Sequence, residues 1–276
     1  MFTARGLTAR AADALMRDPP MAPAPSLRPA RVVWTRAATW RARGEPPLTA
    51  LLADNVAAGV RGLLGPDECR EAATAVMRCR PTWTADFGGE QYALGQAFYT
   101  HLETGRTRDY FANARTSDAL VEAALPGMQA RIRGLFARLA GGRARARAGF
   151  CGPGVHVFPA GEKVAREGGV LHFDTEGLSP LHLERRARAL TLVLMLQPPT
   201  RGGGLRIWNV RYHGRDVPTP TDLRQTSTLT RYRAGDALLL ESYRLHQIEG
   251  FSGARDRISL TVHGVEVDTD VWETWF

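Results

Sequence analysis

A chain of 276 residues with 44% hydrophobic and 23% charged residues can bury a full core, and no run approaches the ~20 apolar residues of a membrane span. The formal net charge of +8 would suit a polyanionic partner, yet Lys163 is the single lysine among 36 basic residues. Such an Arg bias in an Ala- and Gly-rich chain reads as the composition of a high-GC bacterium, and it speaks against a nucleic-acid footprint. Cys69, Cys79 and Cys151 form an odd set without zinc-type spacing, and residues 1–10 lack an apolar leader, so reduced thiols in a cytoplasmic protein are expected.

Residues 1–47 are rich in Pro and Arg and are expected to be a partly disordered extension, from which Val32, Val33, Trp34 and Trp40 can dock a strand onto the core. Residues 48–276 then form one domain, with helical support over 66–140 and a barrel over about 150–265. A helix is predicted from Pro66 to Cys79, with Asp67 and Glu68 facing its N-terminal dipole. A second is predicted from an N-cap at Ser117 to Leu139, interrupted at Pro126 and Gly127. Beyond residue 150 the chain alternates turns with β-rich runs at 154–158, 170–174, 189–196, 205–210, 226–232, 236–240, 244–248 and 256–265. That spacing predicts about eight short strands closing into a small barrel.

Histidine followed by an acid two residues later occurs at His101-Leu102-Glu103, His172-Phe173-Asp174 and His182-Leu183-Glu184. At ordinary composition roughly one such pair arises by chance, so context must separate them. His101 sits in a stretch that reads as helical or loop surface, and His182 leads into the solvated run from Arg185 to Arg188. His172 follows a glycine turn that feeds a short apolar strand, where residues i and i+2 share a face. With His246 on a later strand, His172 and Asp174 supply two imidazoles and a carboxylate, the set that occupies one face of a ferrous ion and leaves positions open for a chelating organic acid and O2. Arg257 and Ser259 lie on the strand after His246, and the planar guanidinium suits a distant carboxylate.

Over roughly residues 58–265 these features resemble the iron(II)/2-oxoglutarate-dependent oxygenases. Val60 to Cys69 is similar to that family's leading strand and helix, Gly203-Gly204-Leu205 to its hairpin strand, and Ala234 to Leu240 to the strand before the distal histidine. The resemblance implies a mainly β, α+β fold: a double-stranded β-helix, jelly-roll or cupin-like, with an N-terminal helical layer. It further implies Fe(II) on His172, Asp174 and His246, 2-oxoglutarate held by Arg257 and Ser259 with Arg255 as competitor, O2 as oxidant, and ascorbate as reductant in vitro.

Within the superfamily, Tyr110-Phe111-Ala112, residues 202–216 and the run into His246 are similar to stand-alone enzymes that modify alkaloids or free amino acids, a branch that includes radical halogenases. Halogenases of that type carry Gly or Ala where this chain has Asp174, so hydroxylation, desaturation or cyclisation of a small amino acid-like or natural-product substrate is expected, with release of succinate and CO2. Thr175, Glu176 and Trp208 are candidate substrate contacts, and Tyr212, Tyr243, Trp272 and Trp275 are candidate mouth residues. Two other readings stand beside this one: an oxygenase acting on RNA or a protein side chain, and a non-catalytic ligand-binding barrel. His263 replaces the second Arg that nucleic-acid repair oxygenases tend to carry, and the intact triad argues for turnover.

Overall fold

The computed structural model describes residues 29–276. Residues 1–28 of the expected extension lie outside the described residues, and β1 (Val32–Arg36) pairs in parallel with β2 (Ala57–Arg61). Between them, α1 (Ala37–Ala42) buries Trp40, whose indole Nε1 donates to the Pro46 carbonyl at 2.9 Å. The Val-Val-Trp strand and Trp40 are thus packed parts of the fold.

The helical layer follows. α2 (Pro66–Arg78) starts with Pro66 at its first turn and Asp67 and Glu68 beside its N-terminal dipole. Cys69, Ala72, Ala73 and Val76 recur at helical spacing and face the core. After the hairpin of β3 (Thr84–Asp86) and β4 (Gln91–Leu94) come α3 (Phe98–Glu103), α4 (Thr107–Ala124) and α5 (Met128–Ala140). The expected start at Ser117 is wrong: α4 begins at Thr107 and buries Ser117 in its middle, on one face with Tyr110, Ala114 and Val121. Those small or hydroxyl-bearing residues carry little apolar signal. His101, expected on the surface, is 2% exposed in α3, with Nδ1 2.9 Å from the Ala97 carbonyl and its ring beside Tyr110.

From β5 (Arg143–Ala146) onward strands predominate, with three short helices between them. β6 (Gly154–Phe158), the short α6 (Lys163–Glu167) and α7 (Pro180–Glu184), β7 (Ala189–Gln197), β8 (Arg201–Gly202) and β9 (Leu205–Arg211) come first. Then α8 (Pro220–Leu223) precedes β10 (Ser227–Thr230), β11 (Ala237–Glu241), β12 (Arg244–Ile248), β13 (Phe251–Ser252), β14 (Arg257–Asp268) and β15 (Val271–Trp275).

The large sheet runs β1-β2-β11-β7-β14-β6-β4-β3, with β15 joining β14 to β5, and the small sheet runs β10-β9-β12. His172 extends the small sheet through a bridge to His246, so the expected strand at 170–174 is reduced to that contact. In chain order β6, the His172 segment, β7, β9, β10, β11, β12 and β14 pass between the two sheets, which is the winding of a double-stranded β-helix. β7 shows how the two faces divide. Leu190, Leu192, Leu194 and Leu196 pack on the helical layer, while Met195 turns inward to a second core with Ile207, Leu238 and Leu240. Among the described residues no helix is long and apolar enough to cross a membrane.

Candidate metal centre

Backbone pairing places the three candidate ligands. His172 and His246 exchange two hydrogen bonds, at 3.1 and 3.0 Å, and the Asp174 amide donates to the Ser242 carbonyl at 2.8 Å. Two residues of one segment and one of its partner strand therefore face the same side. His172 Nε2 lies 3.4 Å from Asp174 Oδ1, His246 Nε2 lies 3.5 Å from Asp174 Oδ2, and one donor atom from each residue falls within 4.8 Å of the others.

The other imidazole nitrogens fix the tautomers. His172 Nδ1 is 2.8 Å from the Val170 carbonyl, and His246 Nδ1 is 2.8 Å from the Arg244 carbonyl. A carbonyl only accepts, so each Nδ1 carries a proton and each Nε2 is turned toward the common point, where its lone pair would serve a metal ion. Burial pushes the pKa of His246 down to about 4. Burial also opposes the Asp174 charge, but His246 and His172 outweigh it and hold the carboxyl well below the usual carboxylate range. For His172 burial is again outweighed, here by Asp174, and the pKa rises to about 9. Two nitrogen lone pairs and one carboxylate with an open side fit a ferrous ion. The open side is at His172, whose side chain is 40% exposed against 6% for His246.

The carboxylate is itself held. Thr191 on β7 donates to Asp174 Oδ2 at 2.6 Å, and its hydroxyl also lies 3.1 Å from both Ser242 Oγ and His263 Nδ1.

The candidate clamp lies farther along the interior. Arg257 is 2% exposed, donates from Nε to the Gly203 carbonyl at 3.1 Å and from Nη1 to Ser259 Oγ at 3.1 Å. The rings of Phe158 and Tyr232 flank the guanidinium at 5.3 and 5.8 Å. No carboxylate pairs with it among the described residues, and burial draws its pKa down to about 10. The buried Tyr232 hydroxyl also lacks a partner there. A buried cation beside an unused hydroxyl donor fits an incoming carboxylate. Arg255, the competitor, is exposed.

The candidate substrate contacts divide. Thr175 is buried, with its hydroxyl 3.5 Å from Asp216, and Glu176 is half-buried, its pKa pushed up to about 7 by burial. Trp208 is misplaced: it packs with Phe173 and Leu245, residues that alternate with the ligands and so lie on the opposite face of the small sheet. Trp272 and Trp275, expected at a mouth, are 0% and 1% exposed.

Sequence reasoning missed Thr191 and Tyr232 and gave His263 no role in the site. Two signals were available: Thr191 is the one hydroxyl residue in an apolar run, and His263 keeps the parity of Arg257 and Ser259 on β14.

No protein-family model matches the chain, and no curated protein matches it in sequence. Among solved structures, SnoK, a non-heme alpha ketoglutarate dependent carbocyclase from nogalamycin biosynthesis, aligns at a TM-score of 0.51 and 17% identity over 77% of this chain and 80% of its own. The epimerase SnoN, in complex with Fe3+, alpha ketoglutarate and nogalamycin RO, aligns at 0.47 and 17% over 78% and 80%. A Trichoplax adhaerens prolyl hydroxylase, in complex with a hypoxia inducible factor peptide, aligns at 0.46 and 14% over 84% and 94%. At such identities the likeness to SnoK is one of fold.

Proposed function

We propose that this chain is an Fe(II)/2-oxoglutarate-dependent oxygenase acting on a small amino acid-like or natural-product substrate. One observation carries the reading. The His172, Asp174 and His246 donors and the unpaired, buried Arg257 face the same barrel interior, joined through Thr191 and the inward row of β14. A metal site and a carboxylate receptor so linked suit a chelating keto acid with a second carboxylate.

Bound iron would supply the redox chemistry, by which O2 and 2-oxoglutarate become succinate, CO2 and an oxidant able to take hydrogen from the substrate. The chain's own residues do the rest. Arg257 and Ser259, with the Tyr232 hydroxyl, hold the far carboxylate, and the Phe158 and Tyr232 rings keep water from the guanidinium. Thr191 restrains Asp174 Oδ2, and the open side at His172 is where substrate approaches. Asp174 fills the place an anionic halide would need, which supports oxygen transfer, desaturation or cyclisation over halogenation.

The test is a substrate screen with Fe(II), ascorbate and 2-oxoglutarate, reading succinate and products that gain one oxygen or lose two hydrogens. Succinate release no greater than that of His246→Ala across the screen would refute the reading.

A further inference from the structure

The inward row of β14 runs Arg257, Ser259, Thr261, His263, and its last member has no part in metal or clamp. His263 stands across from Thr191 on β7 and Trp275 on β15. Its ring is 9% exposed and stacks on the Trp275 indole at 6.0 Å and 28°. Gly177, at a φ of +85°, makes room for that indole: a Cβ there would lie 2.6 Å from Trp275 Nε1.

The protons of this network can be counted. Ionised Asp174 only accepts, and Thr191 spends its single hydroxyl proton on it at 2.6 Å. Toward Ser242 Oγ and His263 Nδ1 the Thr191 oxygen is therefore an acceptor, so both neighbours donate. His263 must then hold its proton on Nδ1. Burial lowers the pKa of the ring and keeps it neutral. Its Nε2 is left as a lone pair without a partner among the described residues.

We propose that His263 is a specificity-determining residue whose Nε2 accepts a hydrogen bond from a hydroxyl or N–H of the substrate, orienting it beside the Asp174 flank of the metal centre. The identity of that ligand as a substrate rests on the oxygenase reading above. An ionised carboxylate at this point has no proton to offer and meets the lone pair with like charge, so acids presenting their carboxylate here are rejected. Trp275 sets the plane of the imidazole, and Thr191 sets its tautomer.

The test uses the metal-free full chain labelled with 15N-histidine, so it stays separate from failure of the protein to bind iron or 2-oxoglutarate. Long-range nitrogen–proton correlation is expected to show His263 as the neutral Nδ1–H tautomer, and Thr191→Val to lose that preference. An Nε2–H or doubly protonated ring in the unmodified chain would overturn the proposal. Phenol, an uncharged hydroxyl donor, is expected to move the His263 Nε2 resonance saturably, while its methyl ether anisole does not. His263→Phe keeps a ring on Trp275 and is expected to weaken phenol binding about tenfold, the worth of one hydrogen bond. His263→Gln keeps an acceptor at similar reach and is expected to retain the phenol preference. Equal response to phenol and anisole, or unchanged phenol affinity in His263→Phe, contradicts the assignment.

Discussion

Arg257→Met separates a residue kept for binding from one kept for stability. The guanidinium is 2% exposed without a carboxylate partner, and burial draws its pKa from 12.5 to about 10. At 1.36 kcal/mol per unit that burial costs ~3 kcal/mol, which the charge-assisted hydrogen bonds to Gly203 and Ser259 at 3.1 Å, at roughly 1.5–3 kcal/mol each, are enough to offset. Methionine fills much of the same volume and removes the buried charge together with its hydrogen bonds, so the variant is expected to melt within about 4 °C of wild type. Binding changes far more. Two charge-assisted hydrogen bonds at ~1.5–3 kcal/mol each place the loss of 2-oxoglutarate affinity at about a hundredfold or more. Thermal melts with Mn(II), with and without 2-oxoglutarate, read both effects, because a ligand that binds only the folded state raises the melting temperature with its concentration. Wild type should show that rise and Arg257→Met should not. A variant that responds to 2-oxoglutarate as wild type does would refute the assignment of Arg257 as the carboxylate receptor.

His172→Ala and His246→Ala should each lose metal binding by calorimetry with Mn(II), while His182→Ala keeps it; an unchanged isotherm removes that histidine from the centre. His101→Ala should also keep metal binding but melt lower than wild type, because His101 is buried against Tyr110. Wild type assayed in chloride or bromide should yield no halogenated product, and Asp174→Gly should lose most oxygen transfer; a chlorinated product from the unmodified chain would contradict Asp174 as a ligand. Asp86 is fully buried, and burial raises its pKa from 3.8 to about 6, so the folded state binds more protons and stability falls as pH rises through that window. Asp86→Asn should therefore raise the melting temperature above pH 6, by up to ~3 kcal/mol of stability, and the gain should vanish below pH 4; a pH-independent difference would sink the argument.

The candidate metal ligands and the candidate clamp could be grouped from sequence because i, i+2 parity is a local rule. His172 and Asp174, like Arg257 and Ser259, share a face whatever the rest of the fold does. Trp208 was misread for want of one long-range fact. His246 stands opposite Ile207 in register, which turns Ile207 inward and Trp208 out, and no spacing within residues 205–210 reveals that pairing. His101 was misjudged because its six-residue helix is too short to show a buried face, and its burial depends on Tyr110 from the next helix. Thr191 was passed over as a strand residue, although a lone hydroxyl in an apolar strand needs a partner, and the partner is Asp174.

The central claim is that one interior binds Fe(II) and 2-oxoglutarate together, and anaerobic absorption spectroscopy tests it most directly. Adding 2-oxoglutarate to the Fe(II)-loaded chain should produce a saturable visible charge-transfer band. The band should be absent in His246→Ala and need far more 2-oxoglutarate in Arg257→Met. No band in the unmodified chain, or one indifferent to both substitutions, would contradict the account.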